Sequence, residues 1–559
     1  RKAMEIGADG VEMDVQQTRD KKLVIHHDFV IDWHTDMRGQ IYDMTEGELK
    51  ADPLFQKLLD DAMAVLTAQD RIPYVTYRGG HLYNFWQDDV HVLGLWRRTD
   101  VESYKTETPA WDVLLDLDKL SADEGQKWSF KGASCLAPEY TRCLVQLSPD
   151  GGDAVEIREF DVNTKTFVEG GYRLATNKST VEWIDGDTVL VATDFGEGSS
   201  TTSGYPRIVK LWKRGTPIGE AKTVFEGKTE DTAAWPIVYD TADGAVPTVM
   251  RAVDFFDAEN YLVAPDGSTK MLPLPLYAEM RGIFKGEVVF SLRQDWAAAD
   301  GVTYRQRSLL AFTLADWQAS GNLPAIKTLF TPTERTAIDT VDFTSGKAFV
   351  SVLDNVRGRI YVYDVAGGAW TAPEPVKLPE TGTVSIAAAA SHSASVMFNY
   401  EDYLTPDSLY WSFDDGAAIE KVKSLPARFD GAAYEIKQFE STSKDGTKVP
   451  YFWVGPKGAS GPVPTLLYAY GGFQVSLTPW YWQTAGKLWL ARDNAFVVAN
   501  IRGGGEFGPR WHEAGLKQNR QRVYDDFMSA AEDLNAKRPT TNKQPGISGG
   551  SNGGLLVGV

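Results

Sequence analysis

The sequence predicts a β-propeller of about seven blades joined to an α/β domain, with a short piece of another type ahead of both. Three observations support this prediction. A central region of roughly 350 residues contains many short β-rich runs separated by turns. The region after about residue 431 alternates strands with helices, and the first fifty residues follow neither pattern. We therefore expect four segments: 1–50, 51–72, 73–430 and 431–559.

The composition excludes several functional classes. Of 559 residues, 43% are hydrophobic and 24% charged, which fits a globular protein with a sizeable core. The formal net charge of −19 disfavours binding to phosphate backbones, so we expect no nucleic-acid partner. No apolar run approaches the roughly 18 residues that a membrane helix needs, so we expect no membrane partner.

The two cysteines and the first residue bear on the compartment. Cys135 and Cys143 are too few for a disulfide scaffold or a four-cysteine zinc site, and we expect two ordinary core thiols. The chain begins with Arg1 and shows no signal pattern, so we expect its natural start to lie upstream. These features favour the cytoplasm and leave the periplasm open.

The first two segments differ from each other in their periodicity. Residues 10–15 and 22–26 have the pattern of two strands around a polar turn. Over residues 52–69 the apolar spacing is helical. We expect this helix, in segment 51–72, to pack on the C-terminal domain.

The central region predicts the propeller. Strand-like runs occur at 188–192, 287–292, 347–353 and 359–365. Asp-Gly turn signals begin at residues 150, 185, 266, 300 and 415. The region is too long for one sandwich, and at about 45 to 50 residues a blade it holds about seven. No clear repeat is visible, so the blade count rests on length.

The C-terminal region predicts an α/β sheet, mostly parallel. Residues 465–470 and 495–501 are apolar and strand-like. Residues 523–537 form an amphipathic helix pattern, with Val523, Phe527, Ala531 and Leu534 on one face.

A glycine-rich turn supplies the candidate nucleophile. Residues 549–553 (GGSNG) satisfy G-x-S-x-G, after a short strand at 546–548 and before an apolar, helix-like 555–557. This is the context of a nucleophile elbow, in which glycines permit a strained turn that exposes the serine. Ser551 is therefore the candidate nucleophile.

Two other glycine-rich segments follow strands. Tyr470-Gly471-Gly472-Phe473 stands where an oxyanion donor is placed, and a simple β-turn is the alternative interpretation. Residues 500–506 (NIRGGGE) lack the Lys-Ser/Thr of a P-loop, so we exclude nucleotide binding there.

From about residue 52 to the end, the chain resembles the prolyl oligopeptidase family of serine peptidases. The resemblance rests on segments that occur in family order: RIPYVTYRGGHLYNFW (71–86), YLTPDSLY (403–410), LLYAYGGF (466–473), NIRGGGEFG (500–508) with Trp511-His512, Asp525-Asp526-Phe527 and GGSNGG (549–554). It implies an α/β-hydrolase domain capped by a seven-bladed propeller that admits short peptides, with cleavage after proline.

The resemblance also implies roles for individual residues. Ser551 is the nucleophile, the Tyr470 hydroxyl and the backbone N–H of Asn552 form the oxyanion hole, and Phe473 lines the proline pocket. No cofactor is implied, the expected partners are short proline-containing peptides, and we expect a monomer.

One departure from the family pattern concerns the rest of the triad. In α/β-hydrolases the acid and the histidine follow the serine, and this sequence ends at Val559. The seven histidines all precede Ser551: His26, His27, His34, His81, His91, His392 and His512. We therefore expect the triad Asp and His beyond the C-terminus, an incomplete hydrolase sheet and an inactive chain as given.

Residues 7–28 resemble the glycerophosphodiester phosphodiesterase family, over about residues 1–50 only. The match implies Glu12 and Asp14 as metal ligands and His27 as the general acid or base; an ordinary acidic strand stays open. Two strands cannot close this family's TIM-type barrel, so these residues are vestigial candidates and we expect no functional metal site. Whether the fusion is real or an assembly artefact stays open.

Three alternative functions remain open. The propeller could serve as a binding module beside an inert hydrolase remnant. G-x-S-x-G alone does not separate a peptidase from an esterase or lipase. A metal-dependent phosphodiesterase at Glu12, Asp14 and His27 is the third.

Overall fold

The computed structural model describes residues 15–17, 21, 23–25, 45–51, 53–149, 151–459, 463–537 and 545–558. Strands β1 (Val15–Gln17) and β2 (Leu23–Ile25) pair antiparallel. Helices α1 (Glu46–Lys50) and α2 (Pro53–Leu66) follow, and α2 confirms the helix predicted over 52–69. Glu12, Asp14 and His27 lie outside the described residues.

Seven antiparallel sheets follow in chain order and confirm the seven-bladed propeller. Blade 1 comprises β3 (Thr76–Arg78), β4 (His81–Trp86), β5 (Leu95–Asp100) and β6 (Asp112–Asp116), and blade 2 comprises β7 (Trp128–Cys135), β8 (Arg142–Pro149), β9 (Val155–Asp161), β10 (Thr166–Phe167) and β11 (Arg173–Asn177). Blade 3 comprises β12 (Thr180–Asp185), β13 (Thr188–Ala192), β14 (Ile208–Lys213) and β15 (Lys222–Glu226), and blade 4 comprises β16 (Ala233–Thr241), β17 (Gly244–Ala252), β18 (Ala258–Val263) and β19 (Thr269–Met271).

Blades 5 to 7 complete the ring. Blade 5 comprises β20 (Ala278–Phe284), β21 (Glu287–Leu292), β24 (Leu309–Thr313) and β25 (Lys327–Phe330), with a hairpin of β22 (Trp296–Ala297) and β23 (Thr303–Tyr304). Blade 6 comprises β26 (Thr336–Phe343), β27 (Ala348–Asp354), β28 (Arg357–Tyr363) and β31 (Glu374–Pro375), with a hairpin of β29 (Val365–Ala366) and β30 (Ala369–Trp370). Blade 7 comprises β32 (Thr383–Ala389), β33 (Val396–Glu401), β34 (Ser408–Ser412) and β35 (Glu420–Ser424).

Apolar packing holds each blade and closes the ring. All six residues of β21 are buried because this strand lies inside its blade, between β20 and β24. Blades 1 and 7 share one core cluster, in which Leu82 packs with Met397 and Trp411. The first and last blades are therefore held together by hydrophobic contact.

The propeller also contains three short helices: α3 (Val101–Lys105), α4 (Leu117–Glu124) and α5 (Leu314–Ser320). The side chains of Asp100 and Asp116 cap the first two by accepting backbone hydrogen bonds. These helices are too short to produce a clear periodicity in the sequence.

The expectation of two free core thiols is wrong. Cys135 and Cys143 form a disulfide. Strands β7 and β8 pair antiparallel with these two residues directly opposite each other, so their side chains lie side by side. That register depends on the hairpin, and the eight-residue spacing alone does not reveal it.

The C-terminal domain is a mixed sheet in the order β36 (Tyr434–Thr442), β37 (Lys448–Pro456), β39 (Ala495–Ala499), β38 (Thr465–Ala469) and β40 (Pro545–Ser548). The expectation of a mostly parallel sheet is wrong: β37 pairs antiparallel with β36 and β39, and β38 pairs parallel with β39 and β40. A tight turn joins β36 to β37, and a tight turn requires antiparallel pairing.

The domain also contains α6 (Gln483–Leu488), α7 (Pro509–Glu513), α8 (Gln521–Lys537) and α9 (Asn552–Val557). Helices α8 and α9 pack on the sheet, and α6 packs against α2. The predicted helix over 523–537 is confirmed as α8, which buries Val523, Phe527 and Leu534 against the sheet. No helix in the described part of the chain is long and apolar enough to cross a membrane.

Candidate active site

Ser551 lies between β40 and α9 in a strained conformation. Its backbone angles are φ 54° and ψ −116°, and its side chain is exposed. A residue other than glycine rarely adopts such a positive φ, and strain of this kind clusters at functional sites. The strand, the turn and the helix predicted around the serine are all present.

The two glycines of the G-x-S-x-G pattern have no room for a side chain. A Cβ on Gly549 would lie 2.1 Å from the carbonyl oxygen of Gly553, and one on Gly553 would lie 2.6 Å from that of Ala469. A Cβ on Gly550, between Gly549 and Ser551, would meet nothing within 4 Å. The close packing of the turn thus requires glycine at 549 and 553 but not at 550.

The parallel pairing of β38 with β40 places the Tyr470 loop beside Ser551. Tyr468 lies opposite Ser548, so the two loops leave the sheet at the same edge. The Asn552 side chain spans them: its Nδ2 donates a 2.5 Å hydrogen bond to the Tyr470 carbonyl oxygen. Tyr470 and Asn552 are therefore neighbours, as the resemblance implies.

Arg520 also positions this corner of the site, and sequence reasoning missed it. Its guanidinium donates to the Gly471 carbonyl oxygen at 2.8 Å and to Asn552 Oδ1 at 3.1 Å. Arg520 stands just before α8 and belongs to no motif, so only the folded structure reveals this contact. It fixes the loop after β38 relative to the start of α9.

Two hydrogen-bond donors of the Tyr470 loop and the start of α9 have no acceptor in the described part of the chain. Among the described residues, neither the backbone N–H of Asn552 nor the half-buried Tyr470 hydroxyl has a hydrogen-bond acceptor. The N–H groups in the first turn of a helix have no partner within that helix, which leaves the Asn552 N–H available to a ligand.

Phe473 projects from the Tyr470 loop. Its side chain is 76% exposed, and its φ is 51°. The next residue, Gln474, accepts a hydrogen bond of 3.3 Å from Arg293, which follows β21 in blade 5. The loop that carries Tyr470 and Phe473 therefore touches the propeller.

The glycines of residues 503–505 pack against this same loop. A Cβ on Gly503 would lie 2.3 Å from the Gly471 carbonyl oxygen, and one on Gly505 would lie 2.1 Å from that of Gln474. These glycines allow backbone to approach backbone, which explains them without a nucleotide.

No described histidine contacts Ser551. Within the described ranges, the Ser551 hydroxyl has no hydrogen-bond partner. His512 lies in α7, where burial lowers its pKa. His392 contacts Asp240 in the propeller.

Comparison with known proteins shows which family carries this site. The family model of the prolyl oligopeptidase N-terminal beta-propeller domain matches residues 42–420. The chain belongs to the prolyl oligopeptidase family. The prolyl oligopeptidase family model itself matches residues 480–559, and that of the glycerophosphoryl diester phosphodiesterase family matches residues 1–81. The last match overlaps the first blade, because β3 and the start of β4 lie within it.

Individual members of the prolyl oligopeptidase family resemble this chain over most of its length. An uncharacterized peptidase of Sinorhizobium fredii is 41% identical over 523 residues, covering 92% of this chain and 72% of the relative. The structure of a post-proline cleaving enzyme from Rickettsia typhi superposes with a TM-score of 0.82 at 32% identity, covering 92% of this chain and 76% of that one. The prolyl endopeptidase of Elizabethkingia miricola is 34% identical over 221 residues, covering 39% of this chain and 31% of that protein. The chain is a serine peptidase of this family by homology and fold.

Proposed function

We propose that the protein hydrolyses short peptides after proline through an acyl-enzyme on Ser551. The strained backbone of Ser551, held between β40 and α9 by two glycines without Cβ space, is the observation that carries this proposal. Such a turn raises the serine hydroxyl above the sheet, where a peptide carbonyl can reach it.

The Asn552 N–H, on the residue after Ser551, and the adjacent Tyr470 loop support an oxyanion hole. The Asn552 N–H and the Tyr470 hydroxyl would stabilise the negative charge that develops on the carbonyl oxygen. Loss of one such donor costs about 2.7 to 4 kcal/mol of transition-state stabilisation in serine peptidases. The side chain of Asn552 and Arg520 act as positioning groups that hold the two donors together.

Specificity for proline is supported by relatives and by one exposed ring. The solved relative from Rickettsia typhi is described as post-proline cleaving, and the Elizabethkingia relative is named a prolyl endopeptidase. Phe473 presents an exposed aromatic face beside the Tyr470 loop, and such a face can pack on a proline ring.

We propose further that the 559 residues by themselves hydrolyse such peptides slowly. None of the described histidines contacts Ser551, and a serine hydroxyl without a base is a weak nucleophile. Loss of the base lowers kcat by roughly 10⁴ to 10⁶ in related chemistry.

The test compares the 559-residue chain with its Ser551→Ala variant on a fluorogenic prolyl peptide and its alanyl analogue. Equal, background rates for the two proteins support the slow-turnover proposal, whereas ordinary rates that vanish in the variant contradict it. A serine-directed phosphonate also needs an activated hydroxyl, so we expect slow labelling of Ser551, and rapid labelling would contradict the slow-turnover proposal. Gly549→Ala should lower the free energy of unfolding and Gly550→Ala should leave it nearly unchanged, because only the first introduces a clash.

A further inference from the structure

A polar cavity of about 190 Å³ lies between the propeller and the loop that carries Phe473. Blades 5 and 6 supply most of its wall, and Gln474, Ser476 and Gly505 close it from the hydrolase side. Gln474, which directly follows Phe473 in the chain, therefore lines this cavity.

The charges in this cavity do not cancel. Its ionisable lining is Glu279, Arg281, Arg293, Arg307 and Asp339, which is three cations and two carboxyl groups. Glu279 is already engaged by Arg281 at 2.7 Å and by Arg293 at 3.0 Å. Burial raises the pKa of Asp339, and the charges of Arg281 and Arg307 act in the opposite direction.

The charges of Glu279 and Asp339 attract Arg307, but neither carboxyl group is in ion-pair contact with it. Its guanidinium makes no ion pair and no hydrogen bond with any described residue, and its Nη1 is shielded from solvent. Burial lowers its pKa to about 10, so it still carries its charge at neutral pH. Buried guanidinium groups are normally paired, because the desolvation of an unpaired charge is costly.

The backbone holds Arg307 in this place. Its φ is 66°, in the left-handed region that residues other than glycine rarely adopt. The side chain also packs on the hydrolase domain, since a Cβ on Gly508 would lie 2.5 Å from its Nε. Arg307 thus reaches from blade 5 to the hydrolase side of the junction.

We propose that this cavity is a carboxylate-binding subsite, in which Arg307 pairs with a carboxylate of the bound peptide. A planar guanidinium binds a carboxylate with two parallel hydrogen bonds. Arg293 lines the same cavity as Arg307 and is held there by its hydrogen bond to Gln474. This inference rests on the proposed peptidase function and names an acidic group as a feature of its substrates. The carboxylate comes from the C-terminus of the peptide or from an acidic side chain.

The test measures peptide binding by calorimetry to the 559-residue chain carrying Ser551→Ala, which removes hydrolysis from the readout. The probes are acetyl-Ala-Pro-Ala-Ala as the free acid, the same peptide as its amide, and acetyl-Ala-Pro-Ala-Asp amide. We expect the acid, the aspartyl amide or both to bind about tenfold more tightly than the neutral amide. The two charged probes distinguish the terminal carboxylate from a side chain.

Variants then assign the effect to Arg307. Arg307→Met should bring the charged and neutral peptides to within about twofold of each other, while Arg307→Lys should keep part of the difference. The matched control is Arg305→Met, which removes the same charge from an exposed residue two positions away that lines a neighbouring cavity. It should preserve the full difference. Unchanged affinity of Arg307→Met for the neutral amide shows that the variant is folded.

Three outcomes overturn the subsite: equal affinity of Ser551→Ala for the charged and neutral peptides, no binding of any of them, and a preference that survives Arg307→Met. The preference of the Ser551→Ala chain for acetyl-Ala-Pro-Ala-Ala amide over acetyl-Ala-Ala-Ala-Ala amide reports on the proposed specificity for proline independently, so the two ideas fail separately.

Discussion

The two ends of the segment 502–506 bury opposite charges in different ways. Arg502 is completely satisfied: its guanidinium bonds both carboxylate oxygens of Asp526 and both of Asp445. Glu506 is satisfied on one side only, because Oε1 accepts from the Leu477 N–H and from Asn500 Nδ2, while Oε2 has no partner among the described residues. The paired charge of Arg502 therefore stabilises the fold, whereas a charge on the partly paired Glu506 would destabilise it.

The pKa shifts follow the same contrast. Burial acts to lower the pKa of Arg502, but its bonds to Asp526 and Asp445 outweigh burial and raise that pKa above its ordinary value. Burial raises the pKa of Glu506 to about 7, and its hydrogen bonds only partly oppose this. Arg502 locks the loop to α8 inside the hydrolase domain, whereas Glu506 faces Tyr403 at the junction with the propeller.

Arg502→Met should have the largest effect on stability. It leaves Asp526, which is fully buried, without its cation, and breaking a buried pair in this way costs about 3 to 5 kcal/mol. The free energy of unfolding in urea measures this loss. Arg522→Met is the matched control: Arg522 is partly exposed and lies 3.8 Å from Asp445, so it should change stability by less than about 0.5 kcal/mol. Equal losses in the two variants would contradict the proposed difference.

Glu506→Gln should change how stability depends on pH. The Glu506 pKa rises from 4.5 to about 7 on folding, so the native state holds a proton that the unfolded chain has lost between these values. Protonated Glu506 therefore contributes up to about 3 kcal/mol to the free energy of unfolding below about pH 4.5. This contribution is lost as the pH rises to about 7. The glutamine variant cannot lose this proton, so its thermal midpoint should match the native protein at pH 5 and exceed it at pH 8.

The exposed Glu513 provides the control for that experiment. Glu513→Gln should give a curve of midpoint against pH parallel to that of the native protein, because this side chain lies at the surface. A parallel curve for Glu506→Gln as well would show that Glu506 ionises normally in the folded state.

Asp445→Asn should have a smaller effect than Arg502→Met. The Asp445 side chain is 40% exposed, and Asp526 remains to hold Arg502, so we expect a loss of about 1 kcal/mol at pH 7. The Arg502 hydrogen bond lowers the Asp445 pKa below its ordinary value of 3.8. The stabilisation is therefore present above that value and lost as the pH falls through the lower pKa, so the two unfolding curves should converge in acid.

Tyr403→Phe should have the smallest effect. The Tyr403 hydroxyl is buried beside Glu506 and has no partner among the described residues. Its removal should leave stability within about 0.5 kcal/mol or raise it slightly. Tyr451→Phe is the matched case: its hydroxyl donates to Asp533 at 2.7 Å, so this variant should lose about 1 kcal/mol. A larger loss at Tyr403 than at Tyr451 would show that Tyr403 has a partner.

The features that the sequence predicted correctly depend on neighbours in the chain. The β-rich run over 287–292, the helical spacing over 52–69 and the glycines around Ser551 each express a local requirement of strand, helix or turn. The number of blades followed from length, because each blade of four short strands needs about the same number of residues.

Tertiary structure decided which distant residues meet. The Cys135–Cys143 bond depends on the register of β7 and β8, and the antiparallel half of the C-terminal sheet depends on strand order. Arg520, Arg307 and Glu506 gained their surroundings only when the Tyr470 loop, the propeller and segment 502–506 packed together. Pairing and desolvation of a charge are set by atoms far along the chain, so they cannot be obtained from local pattern. Local backbone preference therefore determined the elements and the nucleophile turn, and long-range packing determined the electrostatics of the site.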